Sequence, residues 1–146
     1  MRSDDDDPAS AEREGALAAV SGTLQTGFHL AAVWGGVAPF VGPAIGIRLD
    51  SSVTARLADH AIPGAIAVLF ALWANLGWWT SPYSRPLLRF VGVLAGVWMI
   101  GAHVPLLRQA MSGLASWRAT AFHTLPGVFI VSFGGLLMAR EIMFRP

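Results

Sequence analysis

The sequence predicts an all-α membrane protein: four transmembrane helices arranged as two tandem helical-hairpin repeats. Three observations carry this. Hydrophobic residues make up 54 per cent of the 146-residue chain and charged residues only 13 per cent, about half the charged share usual in soluble domains. Acidic groups are segregated as well. Between Gly15 and Ala139 the only ones are Asp50 and Asp59, both in one inter-helix stretch, as expected where ionised side chains avoid hydrocarbon. Third, His60-Ala-Ile-Pro-Gly64 returns 63 residues later as His123-Thr-Leu-Pro-Gly127. Upstream of it, Leu30-Ala31 and Val33-Trp34 return at an offset of 64 as Leu94-Ala95 and Val97-Trp98, and Ala38 returns as Ala102.

The unit read twice is an apolar helix carrying a tryptophan, a loop, and a second apolar helix opened by His-x-x-Pro-Gly. Residues 15–80 form the first unit and 87–143 the second. Before them, residues 1–14 hold Asp4 to Asp7, Glu12 and Glu14 without apolar periodicity, which predicts a disordered acidic tail. An acidic start is also the wrong sign for a secretory signal.

The first span is expected from about Ala16 to Val41, closed by Pro39, Gly42 and Gly46. Gln25 and His29 are four residues apart and share a helical face, which in lipid turns toward other helices. A loop from Pro43 to about Ile62 follows, with a short interfacial helix within Asp50–Asp59 capped by Ser51 or Ser52. Pro63 suits the first turn of the second span, expected to reach Thr80 with Trp78 and Trp79 at a headgroup boundary. Ser81–Pro86 reads as a tight turn. The third span is expected from about Leu87 to Leu107 and contains Gly92-x-x-x-Gly96, a close-approach motif that could also serve a homo-oligomer. After an interfacial loop, Arg108–Phe122, the last span is expected from Pro126 to Ala139 or on to Met143.

Four spans put both termini on one side. Arg2, Arg13, Arg85, Arg89, Arg140 and Arg145 lie on that side, against Arg48, Arg56, Arg108 and Arg118 opposite. Six against four favours termini in the cytoplasm of a multi-pass cell-membrane protein.

Trp34-Gly-Gly-Val-Ala-Pro-Phe-Val41 resembles the helix-end signature of the SPW-repeat membrane proteins, in which a tryptophan is followed after four residues by Ser or Ala, then Pro and an aromatic. In that family the second helix opens with Asn or His, apolar residues and Gly, as His60, Pro63 and Gly64 do here. Trp34, Ala38 and Pro39 carry the signature in the first unit. Trp98, Ala102, His123, Pro126 and Gly127 carry it in the second. That unit departs from the pattern, since His103 stands where the proline belongs. The resemblance implies a small bacterial or archaeal membrane protein without an established activity, structural or accessory in role.

Candidate chemistry rests on four histidines. His60, His103 and His123 are expected at the membrane face opposite the termini, and His29 about 15 Å deeper by helical rise. His103 with His60 or His123 could hold a b-haem or a metal, with structural capping of the two repeated helices as the plainer reading. Trp34 and Trp98 sit one turn before their helices end, as an aromatic belt or as the wall of a quinone site. Gln25, His29 and Asn75 fall near one depth, as interhelical polar glue or as the polar path of a small channel or carrier. Other chemistries are excluded. No carboxylate lies within a span, and no phosphate-cradling glycine loop, His-Glu-x-x-His or Gly-x-Ser-x-Gly occurs. There is no cysteine for a disulfide or thiolate site. A net charge of +1 without a basic cluster leaves nothing to neutralise nucleic-acid phosphates. Enzyme activity has no positive sign.

Overall fold

Four apolar stretches become four long helices in a computed structural model that describes residues 8–47, 52–75 and 83–144, without the side chains of 8–10 and 75. Helix α1 covers Pro8–Val41, and a 3₁₀ turn covers Gly42–Ile45. Helix α2 is Val53–Arg56, a π-helical turn spans Leu57–Ala61, and α3 runs Ile62–Asn75. Helices α4 (Ser84–Ala102), α5 (Val104–Met111) and α6 (Trp117–Met143) complete the chain. No strand occurs among the described residues. Four helical segments are long and apolar enough to cross a membrane: Ala11–Ile45, Val53–Ala74, Ser84–Ala102 and Trp117–Met143. The shortest has 19 residues, about 28 Å of helical rise, close to the ~30 Å hydrocarbon thickness.

The helices close a ring in which α1 packs on α3 and α6, and α4 packs on α3 and α6. Its centre is built from Phe28, Ala32, Ala67, Ala71, Met99 and Ile130. Outside it, Leu30, Val33, Leu69, Leu94, Val97 and Leu136 are exposed. Such an apolar outer face suits lipid rather than water.

Small residues let the backbones meet. A Cβ on Gly64 would lie 2.6 Å from Gly36 Cα and 3.0 Å from Ala32 O. One on Gly127 would lie 2.9 Å from Gly96 O. Ala32 and Gly96 are themselves 64 residues apart, so the glycine of each His-x-x-Pro-Gly stretch rests on corresponding backbone. Gly92 faces Phe28 and Ala67, and Gly96 faces Ile130 and Gly127. The Gly92-x-x-x-Gly96 face is thus consumed inside the chain, which removes it as the surface of a homo-oligomer.

Several boundaries differ from expectation. Helix α1 starts at Pro8 rather than Ala16, because proline is well placed at a first helical position and Ala, Glu and Arg are good helix formers. The acidic tail is shortened accordingly, and residues 1–7 lie outside the described residues. Pro63 keeps its place in the first turn of α3, although helical structure already precedes it, whereas Pro126 lies inside α6. The π turn, with Ile62 N–H donating to Leu57 O, carries the chain through Pro63 from Ser52, whose Oγ accepts from Ala55 N–H at 3.1 Å. Helix α6 begins nine residues before Pro126, in place of an interfacial loop. Helix α4 ends at Ala102, five residues earlier than expected, as His103 leaves the helix and Pro105 enters the first turn of α5. Asp50, Ser51, Trp78, Trp79 and Ser81–Pro82 lie outside the described residues.

At the terminal end of the bundle, Arg89 on α4 forms a partly buried ion pair with Glu141 on α6. The apolar helices therefore do hold carboxylates, Glu141 and Asp59 among them, against the expectation that no span contains one, because α6 and the second span extend beyond their expected ends. Beside it, Arg140 Nη1 donates to Ser21 Oγ on α1 at 2.7 Å.

Candidate metal centre

Proline chemistry explains why the histidines gather. A residue at position 39 would normally donate its N–H to the carbonyl of Gly35, four residues back. Pro39 has no N–H, so Gly35 O lacks that partner. His60, carried inward on the π turn, meets this carbonyl with Nδ1 at 3.2 Å. In the second half of the chain, position 103 corresponds to 39 and Met99 to Gly35 at the offset of 64. There α4 stops, and the backbone N–H of His103 turns to Ile100 O and Gly101 O. Met99 O is instead met by the His103 ring, with Nδ1 at 2.7 Å.

His123 corresponds to His60, so its matching acceptor is Met99 O, which His103 already occupies. Both nitrogens of His123 are buried without a hydrogen-bond partner among the described residues. A third imidazole thus replaces a proline and also takes the carbonyl that the second would have used.

The three rings form one cluster. His60, His103 and His123 are 3, 5 and 1 per cent exposed. Ring centroids lie 4.6 Å apart for His60 and His103, 5.2 Å for His60 and His123, and 6.1 Å for His103 and His123. One nitrogen from each falls within 4.8 Å of the other two. Because a carbonyl only accepts, the Nδ1 atoms of His60 and His103 carry the protons, and each Nε2 keeps a lone pair. This is the arrangement by which a second partner fixes the tautomer of a metal-ligating histidine.

The surroundings are apolar. Trp34 packs at a tilt against Phe122, ring centroids 5.7 Å apart, and Phe122 in turn meets the His123 ring edge-on at 5.3 Å. The turn after α1 covers this end: Ile47 N–H donates to Gly42 O at 2.8 Å, and Gly46 takes a left-handed φ of 75°. A Cβ on Gly42 would stand 3.6 Å from His123 Nε2 and only 2.6 Å from Ile47 O. Glycine is required there by the turn itself. Among the described residues no carboxylate belongs to the cluster. Asp59, next to His60 in sequence, lines an outer groove with Trp98 and Ala102.

The remaining candidate residues are dispersed. Pro63, Gly64, Pro126 and Gly127 are buried at helix contacts beneath His60 and His123, and Ala38 and Pro39 are buried on α1. Trp98 is exposed and donates Nε1–H to Ala58 O at 3.1 Å. Trp34 lines a groove with Phe129 and Phe133, whereas Trp98 lines another with Ile62, Ile66 and Leu94. The two indoles therefore do not form one aromatic wall. Gln25 and His29 are half-buried on α1, with the fully buried Phe28 between them facing the core. The side chain of Asn75 lies outside the described residues, so its place beside them is not described.

The competition for carbonyls is not visible in residue spacing alone. One signal was available: Pro39 leaves Gly35 O without a helical donor, and a histidine two dozen residues later can supply one.

This fold defines the class, an α-helical protein with four membrane-spanning helices. Comparison of the chain with known protein families, with characterised proteins and with solved structures gives no match.

Proposed function

We propose that this protein is a small membrane subunit that holds one divalent transition-metal ion between His60, His103 and His123, a structural or accessory role rather than an enzymatic one. The observation that carries this is His123, 1 per cent exposed with neither nitrogen partnered among the described residues. Leaving a buried polar group unmatched costs about 1–3 kcal/mol, and here the rings of His60 and His103 stand beside it. Imidazole ligands suit zinc, copper, iron and nickel. Tetrahedral zinc at about 2.0–2.1 Å from each nitrogen sets the nitrogens ~3.3 Å apart. From the observed limit of 4.8 Å, small ring movements suffice.

A b-haem fits this geometry less well. Its macrocycle must lie between two histidine rings, and here any two rings are in contact with the third. The separate grooves of Trp34 and Trp98 likewise give a quinone no shared wall.

The same reading takes the chain as two tandem hairpins of SPW-repeat type in the cell membrane, with cytoplasmic termini. Its support is the matched seating of Gly64 on Ala32 O and of Gly127 on Gly96 O. The matched use of Gly35 O and Met99 O by histidine rings supports it too. An ion bound by three residues from different helices ties the ends of both hairpins together.

Metal analysis of the full chain, purified in detergent and exchanged into one equivalent of zinc, tests the proposal. One ion retained per chain through gel filtration is expected, and its loss in His123→Ala. Retention below a tenth of an equivalent in the wild-type protein overturns it.

A further inference from the structure

We infer that the metal centre proposed above is open, and that its fourth ligand is a small exogenous anion. Three neutral imidazoles leave a divalent ion with its whole charge. Such a charge in a water-poor protein interior is strongly unfavourable without a counter-charge. No described carboxylate belongs to the cluster, and the described acidic group closest in sequence, Asp59, lines the outer groove beside Trp98. The aromatic neighbours Trp34 and Phe122 offer no anion.

The histidines also fill only three positions of a tetrahedral ion, and catalytic-type zinc sites with three protein ligands keep the fourth for solvent or substrate. Anion access falls at the membrane-surface end. There a single turn, Gly42–Ile47, roofs the cluster, packed so closely that a Cβ on Gly42 would meet Ile47 O at 2.6 Å, and an entering anion displaces this one turn rather than a helix. The ligand class is a monodentate monoanion, from chloride or from hydroxide.

Cobalt(II) reports this directly. The full chain in detergent is loaded with one equivalent of cobalt and titrated with azide while the visible d–d bands are recorded. A saturable shift of those bands is expected. Competition by added chloride at constant pH identifies chloride as the resident ligand. Competition only by raised pH in chloride-free buffer identifies hydroxide. Cobalt bands that appear on loading but do not move with excess azide overturn the open site and leave the three-histidine centre standing. Absence of any cobalt band overturns the centre, and this inference with it.

Discussion

Replacing Gly64 by alanine tests how the first half of the bundle is held together. The added Cβ would lie 2.6 Å from Gly36 Cα, 2.7 Å from Gly36 N and 3.0 Å from Ala32 O. All three atoms are backbone, so no side-chain rotation relieves the contact. Restoring ordinary carbon contacts requires α1 and α3 to part by about 1 Å. Overpacking of this kind costs about 1–3 kcal/mol, and the upper part of that range applies when neither side can yield. Against it stands the gain of about 0.5–1 kcal/mol from replacing a helical glycine by alanine. The net expectation is a loss of ~1–2 kcal/mol, read by far-UV circular dichroism during sodium dodecyl sulfate titration of the detergent-solubilised protein. Gly135 is the internal control, since a Cβ there meets nothing within 4 Å, and Gly135→Ala is expected to be neutral or slightly stabilising. A Gly64→Ala variant as stable as Gly135→Ala would refute the claim that this backbone contact seats α3 on α1. The same parting draws His60 from Gly35 O, so metal retention should fall in Gly64→Ala and not in Gly135→Ala.

Three further outcomes are expected. Glu141→Gln removes the carboxylate that pairs with Arg89 and should destabilise the protein by about 1–3 kcal/mol; the paired change Arg89→Met with Glu141→Leu should recover most of it in the same titration. His103→Phe keeps a ring in place but removes one ligand and frees Met99 O for His123, so the folded protein should elute with wild-type volume and without its metal. Cysteines placed singly at the exposed positions Ser52 and Tyr83 lie at opposite ends of the bundle. In intact cells an impermeant maleimide should label Ser52→Cys, and Tyr83→Cys only after lysis, if the termini are cytoplasmic. The reversed pattern inverts the topology.

The spans were legible because burial in lipid acts on composition alone: a 19-residue run such as 84–102 with few charges can do little else. Their ends were less legible, because a proline suits the first turn of a helix, as Pro63 does in α3, but can equally lie inside one, as Pro126 does in α6. A π turn lets the chain continue through Pro63, and α6 simply accommodates Pro126. The role of Gly92 and Gly96 was ambiguous for another reason. A small-residue face invites a close neighbour, but the pattern does not say whether that neighbour belongs to the same chain. Helix depth alone predicts that His60, His103 and His123 share one end of the bundle. It could not reveal which carbonyls each ring would find, since that depends on the π turn rotating His60 inward and on α4 stopping at Ala102. The tie between His103 and Met99 O is a property of packed coordinates, not of spacing.

Zinc K-edge X-ray absorption on the protein reconstituted with one equivalent of zinc addresses the three-histidine centre most directly. The expected spectrum shows nitrogen or oxygen neighbours at about 2.0–2.1 Å and the outer-shell scattering of three imidazoles, which is lost in His123→Ala because that variant does not hold the ion. A spectrum fitted by oxygen ligands alone, or one left unchanged by His123→Ala, would contradict it.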